Sequence, residues 1–118
     1  MPIRNAIASL AVNDLESALT WYERLLGRPA DSRPMAEVAE WKFDGGGWLQ
    51  VYQRPERAGL GSVTLAVSDI DEQAEQLRQC GIDTAERSSG PKVKTLMFTD
   101  PDGNHIAFAQ ALDPGMAQ

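Results

Sequence analysis

The hydrophobic pattern changes period along this chain, and it does so twice in the same order. Residues 3–12 alternate, with Ala8, Leu10 and Val12 on one side of an extended chain and Ile7, Ser9 and Ala11 on the other, so a strand is predicted. The period then lengthens, and Leu15, Ala18, Leu19, Tyr22 and Leu26 follow at helical spacing. Asn13 or Asp14 is suited to cap that helix, with Glu16 returning a capping-box bond if Asn13 is the cap. Gly27 stands where a left-handed C-terminal residue is wanted. Pro29 and Pro34 punctuate a short connection. Residues 36–43 and 48–53 are strand candidates, joined by the hairpin signal Gly45-Gly46-Gly47.

The pattern then restarts. Leu10-Ala11-Val12-Asn13-Asp14-Leu15-Glu16 returns as Leu65-Ala66-Val67-Ser68-Asp69-Ile70-Asp71, 55 positions later in a chain of 118. In the second copy, Val63, Leu65 and Val67 alternate with Ser62, Thr64 and Ala66, predicting a strand over 62–67. Asp69 and Glu72 form a capping-box pair, and Ile70, Ala74 and Leu77 mark the buried face of a helix ending at Gly81. Strands are predicted near 83–87, at 93–99 and at 104–110, the last two joined by the tight turn Asp100-Pro101-Asp102-Gly103-Asn104. The order is βαβββ, twice. Each copy is too small to bury a core alone, so residues 1–118 are read as one domain. Its modules span 3–54 and 62–110, with the Pro- and Gly-containing segment 55–61 as linker.

Charge narrows the partners. Seventeen acidic residues against 11 basic ones give a net charge of −6, which disfavours nucleic acid and anionic membrane surfaces. No apolar run reaches the roughly 20 residues that span a bilayer, and Met1-Pro2-Ile3-Arg4 lacks the layout of a signal peptide, so the cytoplasm is the expected compartment. Cys80 is the only cysteine, which excludes an intrachain disulfide and a thiol-rich metal site. Asp100 and Asp102 superficially suggest a calcium loop, but Pro101 and the missing downstream acidic ligands favour a structural turn.

Several motifs together resemble the vicinal oxygen chelate superfamily of glyoxalase I, extradiol dioxygenases, and fosfomycin- and bleomycin-resistance proteins. They are the Val-x-Asp-Leu entry to a helix containing Trp21-Tyr22, the Leu26-Gly27 ending, and the Asp-Pro-Asp-Gly-Asn turn before a final strand. The resemblance covers residues 3 to 110. It implies an α+β fold in which two βαβββ modules curl a mixed sheet into a cup, helices outside and ligand site inside, and it implies a homodimer. Catalytic members hold a divalent metal with His, Glu or Gln from that cup. Carried over one at a time, those positions fall at Ile7, Gln50, Ser62 and Ala107. An isoleucine and an alanine offer no lone pair and a neutral serine hydroxyl is a poor ligand, so no metal and no other cofactor is expected.

Alternation places Trp48, Gln50 and Tyr52 on the cup side of one strand and Leu49 and Val51 on the helix side. Ser9, Ser62, Thr64, Met97 and His105 join them by parity, and Trp41, across the glycine hairpin, is a further candidate. Aromatic rings beside a polar amide form a wall for a flat, partly apolar molecule, whereas the bland alternative is that they fill a small cup or a dimer interface. The expected function is metal-free binding of an aromatic or planar compound, of the bleomycin-resistance type, with no catalytic residue. The alternative is a lyase or dioxygenase-like enzyme, using a metal on His105, Gln50 and Glu40 or metal-free acid–base chemistry by His105.

Overall fold

The computed structural model describes residues 2–82 and 86–112. Its elements run β1 (Ile7–Val12), α1 (Leu15–Leu26), β2 (Ser32–Met35), β3 (Val38–Lys42), β4 (Trp48–Gln53), a 3-10 turn (Pro55–Arg57), β5 (Ser62–Ala66), α2 (Ile70–Gln79), β6 (Glu86–Ser89), β7 (Val93–Thr99) and β8 (His105–Ala111). The βαβββ order therefore occurs twice.

Most boundaries agree with the sequence reading to within two residues, and three elements differ by more than that or in kind. The first strand begins at Ile7 rather than residue 3, because β4 starts at Trp48, directly opposite Ile7, and nothing beyond it pairs with residues 2–6. The connection holding Pro34 is itself a strand, β2. It lies at the edge of its sheet, where a residue without an N–H is tolerated. The strand expected near 83–87 is placed at Glu86–Ser89, and residues 83–85 lie outside the described residues.

Both helices start on an aspartate. Asp14, not Asn13, caps α1: its carboxylate accepts from the Ser17 hydroxyl at 2.7 Å and the Ser17 N–H at 3.0 Å, which lowers its pKa below the ordinary carboxylate value. Glu16 is thereby freed from the capping box and lies 3.7 Å from Arg33. Asp69 accepts from the N–H groups of Asp71 and Glu72 at 3.1 and 3.2 Å.

The strands form two four-stranded mixed sheets, ordered β1-β4-β3-β2 and β5-β8-β7-β6. In each, the first strand of the module runs parallel to the last, and the register repeats. Ile7 faces Trp48 as Ser62 faces His105, and Gln50 lies between Ser9 and Glu40 as Ala107 lies between Thr64 and Met97. One face of each sheet is covered by a helix. Leu10, Val12, Leu49, Val51 and Trp41 are buried there in the first module, and Leu96, Ile106 and Phe108 in the second. A string of rings crosses between the modules: Trp41 and Tyr22 centroids are 6.2 Å apart, Tyr22 and Trp21 4.8 Å, Trp21 and Phe98 6.4 Å, and Phe98 and Phe108 5.2 Å.

The Asp-Pro-Asp-Gly-Asn turn does more than reverse the chain. Asn104, fully buried, donates to the Ala11 carbonyl at 2.7 Å and to Asp100 Oδ2 at 2.8 Å, and accepts the Gly61 N–H at 2.9 Å. The Tyr22 hydroxyl donates to the same Asp100 oxygen at 2.6 Å. Burial, then the nearby Asp100 charge, pushes the Tyr22 hydroxyl pKa far above its ordinary value. This network joins α1 and β1 of one module to the last turn of the other. The same place is tight: a Cβ on Gly61 would lie 2.8 Å from Leu10 Cδ2.

Candidate functional site

With one face of each sheet given to a helix, the other is open. On the first sheet it carries Ile7 and Ser9 from β1, Trp48, Gln50 and Tyr52 from β4, and Glu40 and Lys42 from β3. The Ser9 hydroxyl donates to Gln50 Oε1 at 3.1 Å, and Gln50 Nε2 donates to Glu40 Oε2 at 2.9 Å. This fixes which way the Gln50 amide points and forms a polar row across three strands. Trp48 and Tyr52, both half-buried, stand on either side of that row along β4, and the Lys42 ammonium lies 6.0 Å from the Trp48 ring centroid.

The second sheet presents a different open face. Ser62, Thr64, His105 and Met97 lie on it, exposed, around half-buried Ala107 and Ala109. The module repeat thus puts an indole where the other copy has an imidazole, and an amide where the other has a methyl. One wall is aromatic and polar; the other is small and hydroxyl-bearing.

Trp41 is the correction among the candidate residues. It lies on the helix-facing side of β3, fully buried, opposite Leu49, with its Nε1 donating to the Arg28 carbonyl at 3.0 Å. Residues 43–47 turn the hairpin, with Phe43 N–H bonded to the Gly47 carbonyl, so Lys42 pairs with Trp48 and Trp41 falls on the opposite side. Lys42, absent from the sequence candidates, takes the place beside the indole. The hairpin register was the signal that could have found it.

The metal positions implied by the resemblance do converge on the open faces. Ile7 and Gln50 are diagonal neighbours on one sheet, Ser62 and Ala107 on the other. The donors do not fit a metal ion, since Gln50 is the only amide or acid among them and its oxygen already accepts from Ser9. Of the alternative set, Glu40 and Gln50 are bonded on the first sheet while His105 sits on the second. Among the described residues, no group of three His, Cys, Asp or Glu side chains could hold a metal ion. No described helix is long and apolar enough to cross a membrane.

A cleft of about 830 Å³ opens where β1 and β5 lie side by side. Of the candidate residues, Trp48 and Thr64 line it.

Comparison with known proteins agrees with this architecture. A sequence search of curated proteins gave no match. A glyoxalase/bleomycin resistance protein from Catenulispora acidiphila is similar in structure with a TM-score of 0.84 and 34% identity, over 92% of this chain and 99% of the other. TnmS3, an antibiotic-binding protein from Streptomyces, is similar with a TM-score of 0.81 and 24% identity, over 94% and 98% of the two chains. A lactoylglutathione lyase from Agrobacterium tumefaciens shares the fold with a TM-score of 0.78 at 17% identity, over 98% of each chain. The family model described as a glyoxalase-like domain matches residues 8–109, and the chain belongs to that family, within the vicinal oxygen chelate superfamily.

Proposed function

We propose that this protein is a metal-free binding protein, of the bleomycin-resistance type, for an aromatic or otherwise planar small molecule. The observation that carries this reading is the open face of the first sheet: Trp48 and Tyr52 flank the Ser9–Gln50–Glu40 row. A flat ring stacks on Trp48, its edge meets the amide and hydroxyl groups of the row, and Tyr52 bounds it. Ring contacts worth about 0.5–1.5 kcal/mol each, added to apolar burial at about 25 cal/mol per Å², support micromolar affinity without chemistry. Ser62, Thr64 and His105 form the second wall as orienting contacts, and Met97 is an adaptable apolar patch at its edge, where the partner copy meets it. TnmS3 is named as an antibiotic-binding protein, and an antibiotic with a planar chromophore is the ligand class we favour here, with resistance in the cytoplasm as its consequence.

The two modules act as one domain in this reading, and a second copy of the chain covers the exposed apolar residues Ile7 and Met97 to give a homodimer. The test is a titration of planar aromatic compounds followed by tryptophan fluorescence. Wild type gives saturable quenching, and Trp48→Ala weakens every hit at least tenfold. Equal affinity of Trp48→Ala and wild type for all hits would sink the stacking proposal.

A further inference from the structure

The seam between the two modules is closed at one end and open at the other. At the closed end the Asn104 side chain bonds Ala11 of β1, and Gly61 leads into β5 against Leu10. Among the described residues β1 and β5 share no ladder hydrogen bonds, and the cleft lies where Ala6 and Ala8 come opposite Val63–Ser68. The cleft that results holds about 830 Å³, within the roughly 300–1,000 Å³ of small-molecule sites.

Its lining is selective. The C-terminal turn of α1 supplies Leu25 and Leu26, and β8 supplies Phe108, as an apolar floor. Among the described residues no lysine, arginine or histidine lines it, although the chain has 11 Lys and Arg, and the charged residue at its rim is Asp44 in the glycine hairpin. An anion entering would lose hydration with no cation to replace it. Three glutamines border the same space: Gln73 and Gln76 from α2 and Gln110 from β8. Gln110 Oε1 accepts the Ile70 N–H at 2.9 Å, which leaves its amide N–H₂ to donate.

We infer that the open end of this seam is a second ligand site, for an uncharged, mainly apolar molecule carrying carbonyl or ether oxygens along one edge. The apolar body lies on the leucine and phenylalanine floor, and the glutamine amides donate to the oxygens. A molecule there touches both modules, so its binding stiffens the seam that Asn104 pins at the other end. Trp48 stands between this cleft and the open face and borders both, whereas Gln50 and Tyr52 lie only on the open face, so Tyr52 tells the two sites apart.

Nile red, an uncharged fused-ring dye with a carbonyl acceptor, is the probe, and an anionic anilinonaphthalene sulfonate is the charge control. Wild type is expected to bind Nile red with a blue-shifted emission and the sulfonate at least tenfold more weakly. Gln76→Trp, at an exposed helix position, projects an indole into the cleft and is expected to weaken Nile red at least tenfold with an unchanged circular dichroism spectrum. Leu26→Trp, read the same way, guards against a local effect at Gln76. The inference is overturned if Nile red does not bind, if the sulfonate binds equally well, or if neither variant alters its affinity. A loss on Tyr52→Ala but not on Gln76→Trp also overturns it, because the dye then sits on the open face and only the stacking proposal survives.

Discussion

Replacing Asn104 with alanine removes the central member of the network that joins the modules. Three partners lose a bond at once: the Ala11 carbonyl, the Gly61 N–H and Asp100 Oδ2. Each buried group left without a partner costs about 1–3 kcal/mol, and Asp100 keeps the Tyr22 hydroxyl and two backbone N–H groups, so Asn104→Ala is expected to cost about 3–5 kcal/mol. Tyr22→Phe removes one bond to a charged acceptor and is expected to cost about 1.5–3 kcal/mol. Both side chains bond the same carboxylate oxygen, so the double variant departs from additivity by about 0.5–3 kcal/mol. Urea denaturation of the four proteins measures these values. There is also a pH signature. Tyr22 has a folded-state pKa raised above its ordinary 10.0, so its contribution is fully present below that pH and is lost as the pH rises beyond it. Wild type therefore loses stability above about pH 10 more steeply than Tyr22→Phe. A cost below about 1 kcal/mol for Asn104→Ala, with strict additivity in the cycle, would refute the assignment of this network as the joint between modules.

Other expected outcomes follow from the same geometry. Gly59 has φ +83°, and a Cβ there would lie 2.2 Å from the Asp102 carbonyl oxygen, so Gly59→Ala combines backbone strain and overpacking; about 2–5 kcal/mol of lost stability in denaturant is expected. Sedimentation of an Ile7→Glu, Met97→Glu double variant is expected to show a monomer where wild type shows a dimer, and an unshifted wild-type monomer would remove the homodimer from the proposal. In the ligand titration, Trp41→Phe is expected to retain the quenching that Trp48→Ala loses, because Trp41 is sealed in the core.

Much of the architecture could be read from alternation and repetition. The faces of β1, β4 and β5 follow from single-residue parity, since Leu49 and Val51 are fully buried and Ser62 and Thr64 exposed. Parity needs an anchor, however. The facing of Trp41 depends on how many residues the glycine hairpin consumes, which composition does not state, and so it stood among the candidates although it is buried. The edge strand β2 was hidden by Pro34, which reads as a breaker unless the strand has a free side. The turn at Asp100–Asn104 was legible as a turn but not as a joint, because its partners Ala11, Gly61 and Tyr22 lie 43 to 93 positions away in sequence. The β1–β5 cleft was likewise invisible, since it exists only through the angle at which two modules meet.

The most direct measurement is calorimetric titration of a planar aromatic ligand into protein freed of metal by a chelator. The account predicts micromolar binding that is unchanged by adding stoichiometric Zn²⁺, Ni²⁺ or Mn²⁺ and is weakened at least tenfold in Trp48→Ala. Binding or turnover that appears only when one of those ions is restored would contradict it.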